Sequence, residues 1–279
     1  MAIKDILLAL QSHPEPTKAS MIEHAVAIAA ALDSHIAAVA CEIHLEIPSS
    51  LISTSLLNVP ALIAEETRKS RANVDQLLTA FEATAARQDV RFESIRERCL
   101  SGEVPDMLVE YARLRDLTIV PVSEDHARWC SEAIIFGSGK PTLVLPECPS
   151  VPSFQLKTVL VAWDFSRAAA RAVADAIPLL ERAKHVRIVT VMGEKPVDSK
   201  HSAEELAKNL SRHGLEVELD RIESKGRTIG ETIEAHAKSC DADMLVMGAY
   251  GHSRFREFVL GGATRTLLAR PPLPILFSH

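Results

Sequence analysis

The chain has 279 residues, of which 47% are hydrophobic and 24% charged, with a formal net charge of −6. These values exclude a disordered or collagen-like chain. The length leaves two domains or one large one, since a domain usually takes about 100–200 residues. Aromatic residues are only 4%, while Ala, Val, Leu and Ile abound, a mix suited to buried parallel strands under close-packed helices.

Charge is unevenly spread. Residues 1–150 hold 13 Lys+Arg against 21 Asp+Glu, a balance of −8, and residues 151–279 hold 18 against 16, or +2. An acidic chain without a dense basic stripe is not expected to bind nucleic acid. No apolar run approaches the ~18 residues of a membrane span, so no membrane partner is expected. The opening Met1-Ala-Ile-Lys-Asp runs straight into a strand-like segment, so no signal peptide is expected either. Five scattered cysteines (Cys41, Cys99, Cys130, Cys148, Cys240) contain no Cys-x-x-Cys. They predict no disulfide framework and a reducing, cytoplasmic setting.

Taken along the chain, Lys4–Leu10 is an apolar β-type run, followed by an Ala-rich helical pattern over Lys18–Leu32 and a second strand at His35–Val39. A Ser/Leu-rich loop around Ser49–Asn58 leads into one long predicted helix, Ala61–Gln88, and a helix follows at Val104–Arg113. A strand then ends in Val120-Pro-Val-Ser-Glu124, and the half closes on Pro141-Thr-Leu-Val-Leu145. The proline-rich Pro146–Pro152 reads as a linker. Beyond it the pattern repeats at an offset of 153 residues: Lys157-Thr-Val-Leu-Val-Ala-Trp163 parallels Lys4-Asp-Ile-Leu-Leu-Ala-Leu10. Strands are predicted at 158–163, 186–191, 216–222, 243–248 and 274–277, and helices near 166–182, 202–213, 228–239 and 262–269. Strands alternating with helices predict a parallel, doubly covered sheet. The chain therefore reads as two α/β domains of one fold, 1–147 and 153–279.

In open α/β sheets ligands bind beyond the carboxyl ends of the strands, where the winding reverses. In the second half, strand one ends in Ala162-Trp163-Asp164-Phe165-Ser166. Strand four ends in Met247-Gly248-Ala249-Tyr250-Gly251-His252, and Leu260-Gly261-Gly262-Ala263-Thr264 opens a helix. Glycines at such points let a backbone approach a phosphate, and a helix N-terminus presents free N–H donors. Arg254, Arg256 and Arg265 add positive charge. Gly137-Ser-Gly-Lys-Pro-Thr142 fails as a P-loop, because Ile134 and Pro141 replace required residues. Cys41-x-x-His44 lacks the second pair that a metal site needs, so no metal site is expected.

With these residues in place the second half resembles a universal stress protein domain, and the whole chain resembles a tandem universal stress protein. Nucleotide-binding members of that family carry Gly-x2-Gly-x9-Gly-(Ser/Thr), and Gly248, Gly251 and Gly261 keep the spacing. Asp164 at the end of strand one and Thr190-Val191 closing strand two also fit. The resemblance implies two Rossmann-like, adenine nucleotide alpha hydrolase-like domains. Each would have a five-stranded parallel sheet of order 3-2-1-4-5, joined through strands 141–145 and 274–277 as a pseudo-two-fold dimer. Homodimers of the chain are a further option.

The resemblance also implies an adenine nucleotide (ATP, ADP or AMP, with or without Mg²⁺) held by Ala162, Asp164, Val191, Met247, Gly248, Gly251, Gly261, Gly262, Ala263 and Thr264, with His252 in the same loop. Its role would be that of a nucleotide-dependent switch in a stress response; a slow ATPase and a nucleotide-free scaffold are the alternatives. Two departures stand out. Gly262 occupies the Ser/Thr position, which removes one hydroxyl donor to phosphate. In the first half Gln11 replaces the strand-one Asp, Pro121 removes a backbone donor, and Glu124 and Asp125 oppose phosphate. The first half is therefore expected to have lost the nucleotide site and to keep a structural or partner-binding role.

Overall fold

A computed structural model describes residues 2–44, 59–122, 128–147, 154–192, 203–249 and 262–279. The chain divides into two compact units, one spanning Lys4–Ile134 and one combining Phe154–His279 with Ile135–Pro146.

The first unit contains β1 (Asp5–Leu10), α1 (Ala19–Leu32), β2 (His35–His44), α2 (Val59–Arg87), β3 (Phe92–Leu100), α3 (Val104–Arg113), β4 (Leu117–Val122) and the start of α4 (Arg128–Gly137). Its strands run parallel in the order β3-β2-β1-β4. Strand β1 is central and its Ile6, Leu7 and Leu8 have no exposure, as a strand covered on both faces requires. Helix α2 is long because its apolar residues recur at helical spacing: Val74, Leu77, Leu78, Phe81 and Ala85 are all buried. From its buried edge, Ser70 Oγ accepts the Ile43 N–H at 3.0 Å, fixing α2 to the end of β2.

Strand β3 is the amphipathic edge, with most of its residues half-exposed. Its Arg96 and Arg98 reach across to Glu42 Oε1 and Oε2 at 2.6 and 3.0 Å. Glu42 is 4% exposed, so the two guanidiniums compensate a charge that burial would otherwise penalise.

The cysteine expectation needs correction here. Cys41 on β2 and Cys99 on β3 form a disulfide, with Cα atoms 6.5 Å apart. The parallel register sets Ile43 opposite Cys99 and Cys41 opposite Glu97, so adjacent strands bring together two residues 58 apart in sequence. No sequence spacing encodes that register.

The second unit contains β5 (Thr142–Pro146), β6 (Thr158–Ala162), α5 (Arg167–Leu180), β7 (His185–Met192), α6 (Ala203–Ser211), β8 (Val217–Glu223), α7 (Ile229–Ser239), β9 (Met244–Gly248), α8 (Gly262–Ala269) and β10 (Ile275–Ser278). The strand order is β5-β10-β9-β6-β7-β8. All pairs are parallel except β5–β10, where Leu276 faces Leu143 in an antiparallel ladder. That ladder covers the β10 edge, which would otherwise be an exposed apolar template for aggregation.

Both units use one device to start the sheet. Asp116 Oδ2 accepts the N–H groups of Lys4 and Asp5 at 2.9 and 3.1 Å. In the second unit Asp243 Oδ2 accepts those of Lys157 and Thr158 at 2.7 and 2.9 Å. Asp116 precedes β4 and clamps the start of β1, and Asp243 precedes β9 and clamps the start of β6. Two backbone donors on one carboxylate are charge-assisted bonds, about twice as strong as neutral ones.

In the second unit Asp220 on β8 joins three elements. It accepts Arg187 Nε and Nη2 from β7, each at 2.8 Å, and lies 2.8 Å from His236 Nε2 on α7. Burial works against the ionised carboxyl, but the Arg187 and His236 hydrogen bonds outweigh it and lower its pKa. A native pKa below the unfolded one contributes stability that is complete above the unfolded value and lost as pH falls through the native one. Asp220→Asn is therefore expected to lower stability by about 1.5–3 kcal/mol at neutral pH. It should also flatten the loss of stability below about pH 4, checked by urea unfolding between pH 3 and 7. An unchanged acid limb would show that the carboxylate carries none of it.

Candidate functional site

Strand β6 is where the winding of the second unit reverses, with β7 on one side and β9 on the other. Ala162, its last residue, pairs with Val189, and Val161 pairs with Val246. The next residue, Trp163, stays in step by donating its N–H to the Val189 carbonyl at 2.9 Å. There the chain turns into α5. Asp164 Oδ1 accepts the Ser166 N–H at 2.9 Å, and Ser166 Oγ caps the helix by accepting the Ala169 N–H at 3.0 Å. Between them Phe165 takes φ +60°, a left-handed conformation costly for a bulky residue and concentrated at functional turns. Asp164 is exposed, and its second carboxylate oxygen has no partner among the described residues.

At the end of β9, Met247 is buried and Gly248 half-buried. A Cβ on Gly248 would lie 2.4 Å from Ala169 N and 2.5 Å from the Ala168 carbonyl carbon. The first turn of α5 thus sits directly on the end of β9, closer than any side chain permits. Glycine here is a packing requirement, whatever else the loop after it does. Val191, the last residue but one of β7, is half-buried beside Thr190, which is 7% exposed. Thr190 Oγ1 and Trp163 Nε1 are both buried without a hydrogen-bond partner among the described residues. Buried polar atoms left unpaired cost free energy and call for an explanation.

Helix α8 begins at Gly262, which is exposed, with nothing within 4 Å of where its Cβ would be. Ala263 is half-buried and Thr264 is 3% exposed. The open first position of the helix therefore carries no hydroxyl, and the Thr264 side chain is packed inside. Thr266 Oγ1 donates to the Gly262 carbonyl at 2.9 Å. Its Cβ would lie 3.1 Å from a Cβ on Gly230 of α7, which sets the helix pair close together.

The structure thus gathers Ala162, Asp164, Val191, Met247 and Gly248 on the ends of three adjacent strands, and puts Gly262, Ala263 and Thr264 in the first turn of α8. Gly251, His252 and Gly261, with Arg254 and Arg256, lie outside the described residues, as do Glu124, Asp125 and Ser49–Asn58. Among the described residues no group of three or more His, Cys, Asp or Glu is placed to hold a metal ion. No described helix is long and apolar enough to cross a membrane.

The first unit has its own crevice at the corresponding strand ends. It is a cavity of about 190 Å³ between the ends of β1, β2 and β4 and the starts of α3 and α4. Its walls include Leu10, Ile43, Leu108 and Val120, with Gln11 where the second unit has Asp164. No sequence motif marks it, because its lining comes from five separate segments.

Residues 155–279 match the family model described as the Universal stress protein family. The chain is also 26% identical over 202 residues to the universal stress protein Slr1230 of Synechocystis sp., covering 68% of this chain and 67% of that one. Among solved structures, a universal stress protein from Archaeoglobus fulgidus DSM 4304 superposes with a TM-score of 0.70 at 17% identity. That match covers 98% of this chain and 95% of that one. The functionally unknown protein PA1789 from Pseudomonas aeruginosa PAO1 gives 0.59 at 13% identity, covering 99% and 92%. At these identities the likeness is one of fold, and it extends through both halves. The half that matches the family model is the one that carries Asp164, Gly248 and the glycine-opened α8.

Proposed function

We propose that the half that matches the family model binds an adenine nucleotide (ATP, ADP or AMP) at the carboxyl ends of β6 and β9. One observation carries the reading: the winding reverses at β6, with the exposed Asp164 on one side of the reversal and Gly248 on the other. A crevice at such a point is where open α/β sheets take ligands. Further support comes from Thr190 Oγ1, Trp163 Nε1 and the second Asp164 oxygen, which have no partner among the described residues, and from the start of α8, where N–H groups suit an anion.

On this reading Ala162, Asp164 and Val191 face the adenosine end. Met247, Gly248, Gly251, His252, Gly261, Gly262, Ala263 and Thr264 serve ribose and phosphates, with Gly248 acting through the strand–helix distance it sets. Any Mg²⁺ enters on the nucleotide's phosphates. A ligand bridging β6 and β9 shifts the balance between two states of the chain only through different affinity for each, which makes a nucleotide-dependent switch in a stress response the functional form of the proposal. The division into repeats 1–147 and 153–279 belongs to the same proposal, supported by the matched Asp116 and Asp243 clamps. So does their pseudo-two-fold pairing, supported by the β5–β10 ladder. A cytoplasmic location is proposed on family grounds.

Gly262→Ser tests the phosphate end. Nothing blocks the new side chain, and a hydrogen bond to a charged group is worth about 1.5–3 kcal/mol. Calorimetry on the full chain should show ATP binding tightened about tenfold or more, with AMP changed less. Equal affinity for ATP in both proteins would overturn this assignment of α8.

A further inference from the structure

We propose that the cavity of the first unit is a binding site for a small neutral molecule, largely apolar and carrying one hydroxyl or amide group. At about 190 Å³ it has somewhat more room than the ~150 Å³ apolar cavity that accommodates benzene. Leu10, Ile43, Leu108 and Val120 give it apolar walls, and Trp129, 54% exposed, is a solvent-facing aromatic in its lining. Among the described lining residues there is no Lys or Arg, and the chain at the end of β4 is Val120-Pro121, with no N–H on the proline. Among the described lining residues an anion would meet no Lys or Arg side chain, and His13 already lies 3.2 Å from Glu66 Oε2, so the position that takes a nucleotide in the proposed site of the other unit suits a neutral molecule better here.

The polar residues of the lining are mostly committed to the fold. Ser12 Oγ donates to the Cys41 carbonyl at 2.5 Å and lies 3.2 Å from Ser70 Oγ, while the Ser12 carbonyl accepts Asn73 Nδ2 at 2.8 Å. His13 Nε2 is 3.2 Å from Glu66 Oε2. The Gln11 backbone is closed on Thr17, its N–H donating to Thr17 Oγ1 and its carbonyl accepting the Thr17 N–H, both at 2.9 Å. The Gln11 carboxamide has no partner among the described residues. An amide NH₂ that donates and a carbonyl that accepts, beside apolar walls, match a hydroxyl or amide on an otherwise apolar molecule.

The test uses the full chain with Trp163→Phe, which leaves Trp129 as the single tryptophan, since the sequence has two. Benzyl alcohol, toluene, benzoate and ATP serve as probes. Benzyl alcohol is expected to shift Trp129 emission saturably, with toluene about tenfold weaker and benzoate and ATP without effect. Gln11→Leu should equalise benzyl alcohol and toluene, and Val104→Phe, which fills the cavity, should abolish both responses. Should Val104→Phe not fold, judged by circular dichroism, the Gln11→Leu comparison decides alone. A response that never saturates, a preference for benzyl alcohol retained in Gln11→Leu, or benzoate binding as well as benzyl alcohol would overturn the proposal. None of these outcomes depends on nucleotide binding in the other unit.

Discussion

Gly248→Ala is expected to destabilise the second unit by about 3 kcal/mol or more, the upper range for overpacking a well-filled site. The atoms in the way are Ala169 N and the Ala168 carbonyl carbon, 2.4 and 2.5 Å from the added Cβ, and both are backbone. A flexible side chain would swing aside; the first turn of a capped helix does not. Relief requires α5 to lift off β9, which opens the packing of Met247 and of Ala168 and Ala169, each 7% exposed or less. The matched control is Gly262→Ala, where the new methyl meets nothing and helix propensity favours alanine. Urea unfolding of both variants checks the pair. A midpoint for Gly248→Ala within error of the parent would show that α5 and β9 are not in such close contact. Loss of nucleotide binding in Gly248→Ala alone, by contrast, says nothing about phosphate contacts, because the strand–helix joint is disturbed first.

Removing the Cys41–Cys99 disulfide is expected to cost about 4 kcal/mol by loop-closure entropy for a loop of 58 residues, against typical measured losses of 2–4. The bond ties the edge strand β3, most of whose residues are half-exposed, to a β2 that is buried almost throughout. Without it β3 is held by its backbone ladder and by the ion pairs of Arg96 and Arg98 with Glu42. Reduction, or Cys99→Ser, should therefore lower the urea midpoint of the first unit. Mass spectrometry after alkylation under denaturing conditions provides the companion check: two more alkylated cysteines are expected with reductant than without. Equal numbers in the two samples, with equal midpoints, would contradict the linkage.

These two expectations mark where the sequence is legible and where it stops. Helix α3 is written in its pattern, opening on Glu103-Val104-Pro105 with proline in the first turn. The start of α8 is equally visible in Gly261-Gly262, as are the apolar runs of β1, β6 and β9. Each of those signals is local. Strand β3 is less visible because Phe-Glu-Ser-Ile-Arg-Glu-Arg-Cys-Leu has no continuous apolar run. Its charges make sense only once Glu42 is known to be buried opposite. The disulfide depends on a parallel register between strands separated by α2, which no cysteine count contains.

The glycine motif is the mixed case. Its spacing points to the loop after β9 and to Asp164 across the reversal of winding. It gives no hint that Gly248 is demanded by the backbone of α5. The cavity beside Gln11 is the opposite case: the sequence shows a glutamine at the position matching Asp164, and only the fold shows the room beside it.

The charge asymmetry between the halves fits this picture, since the half balanced at +2 carries the proposed anion site and the −8 half holds a cavity with no Lys or Arg among its described lining residues. The most direct test of the account is calorimetric titration of the full chain with ATP, run on the parent and on Asp164→Ala. The account predicts one ATP per chain for the parent and at least tenfold weaker binding for Asp164→Ala. No heat at millimolar ATP, or two equivalent sites per chain, would contradict it.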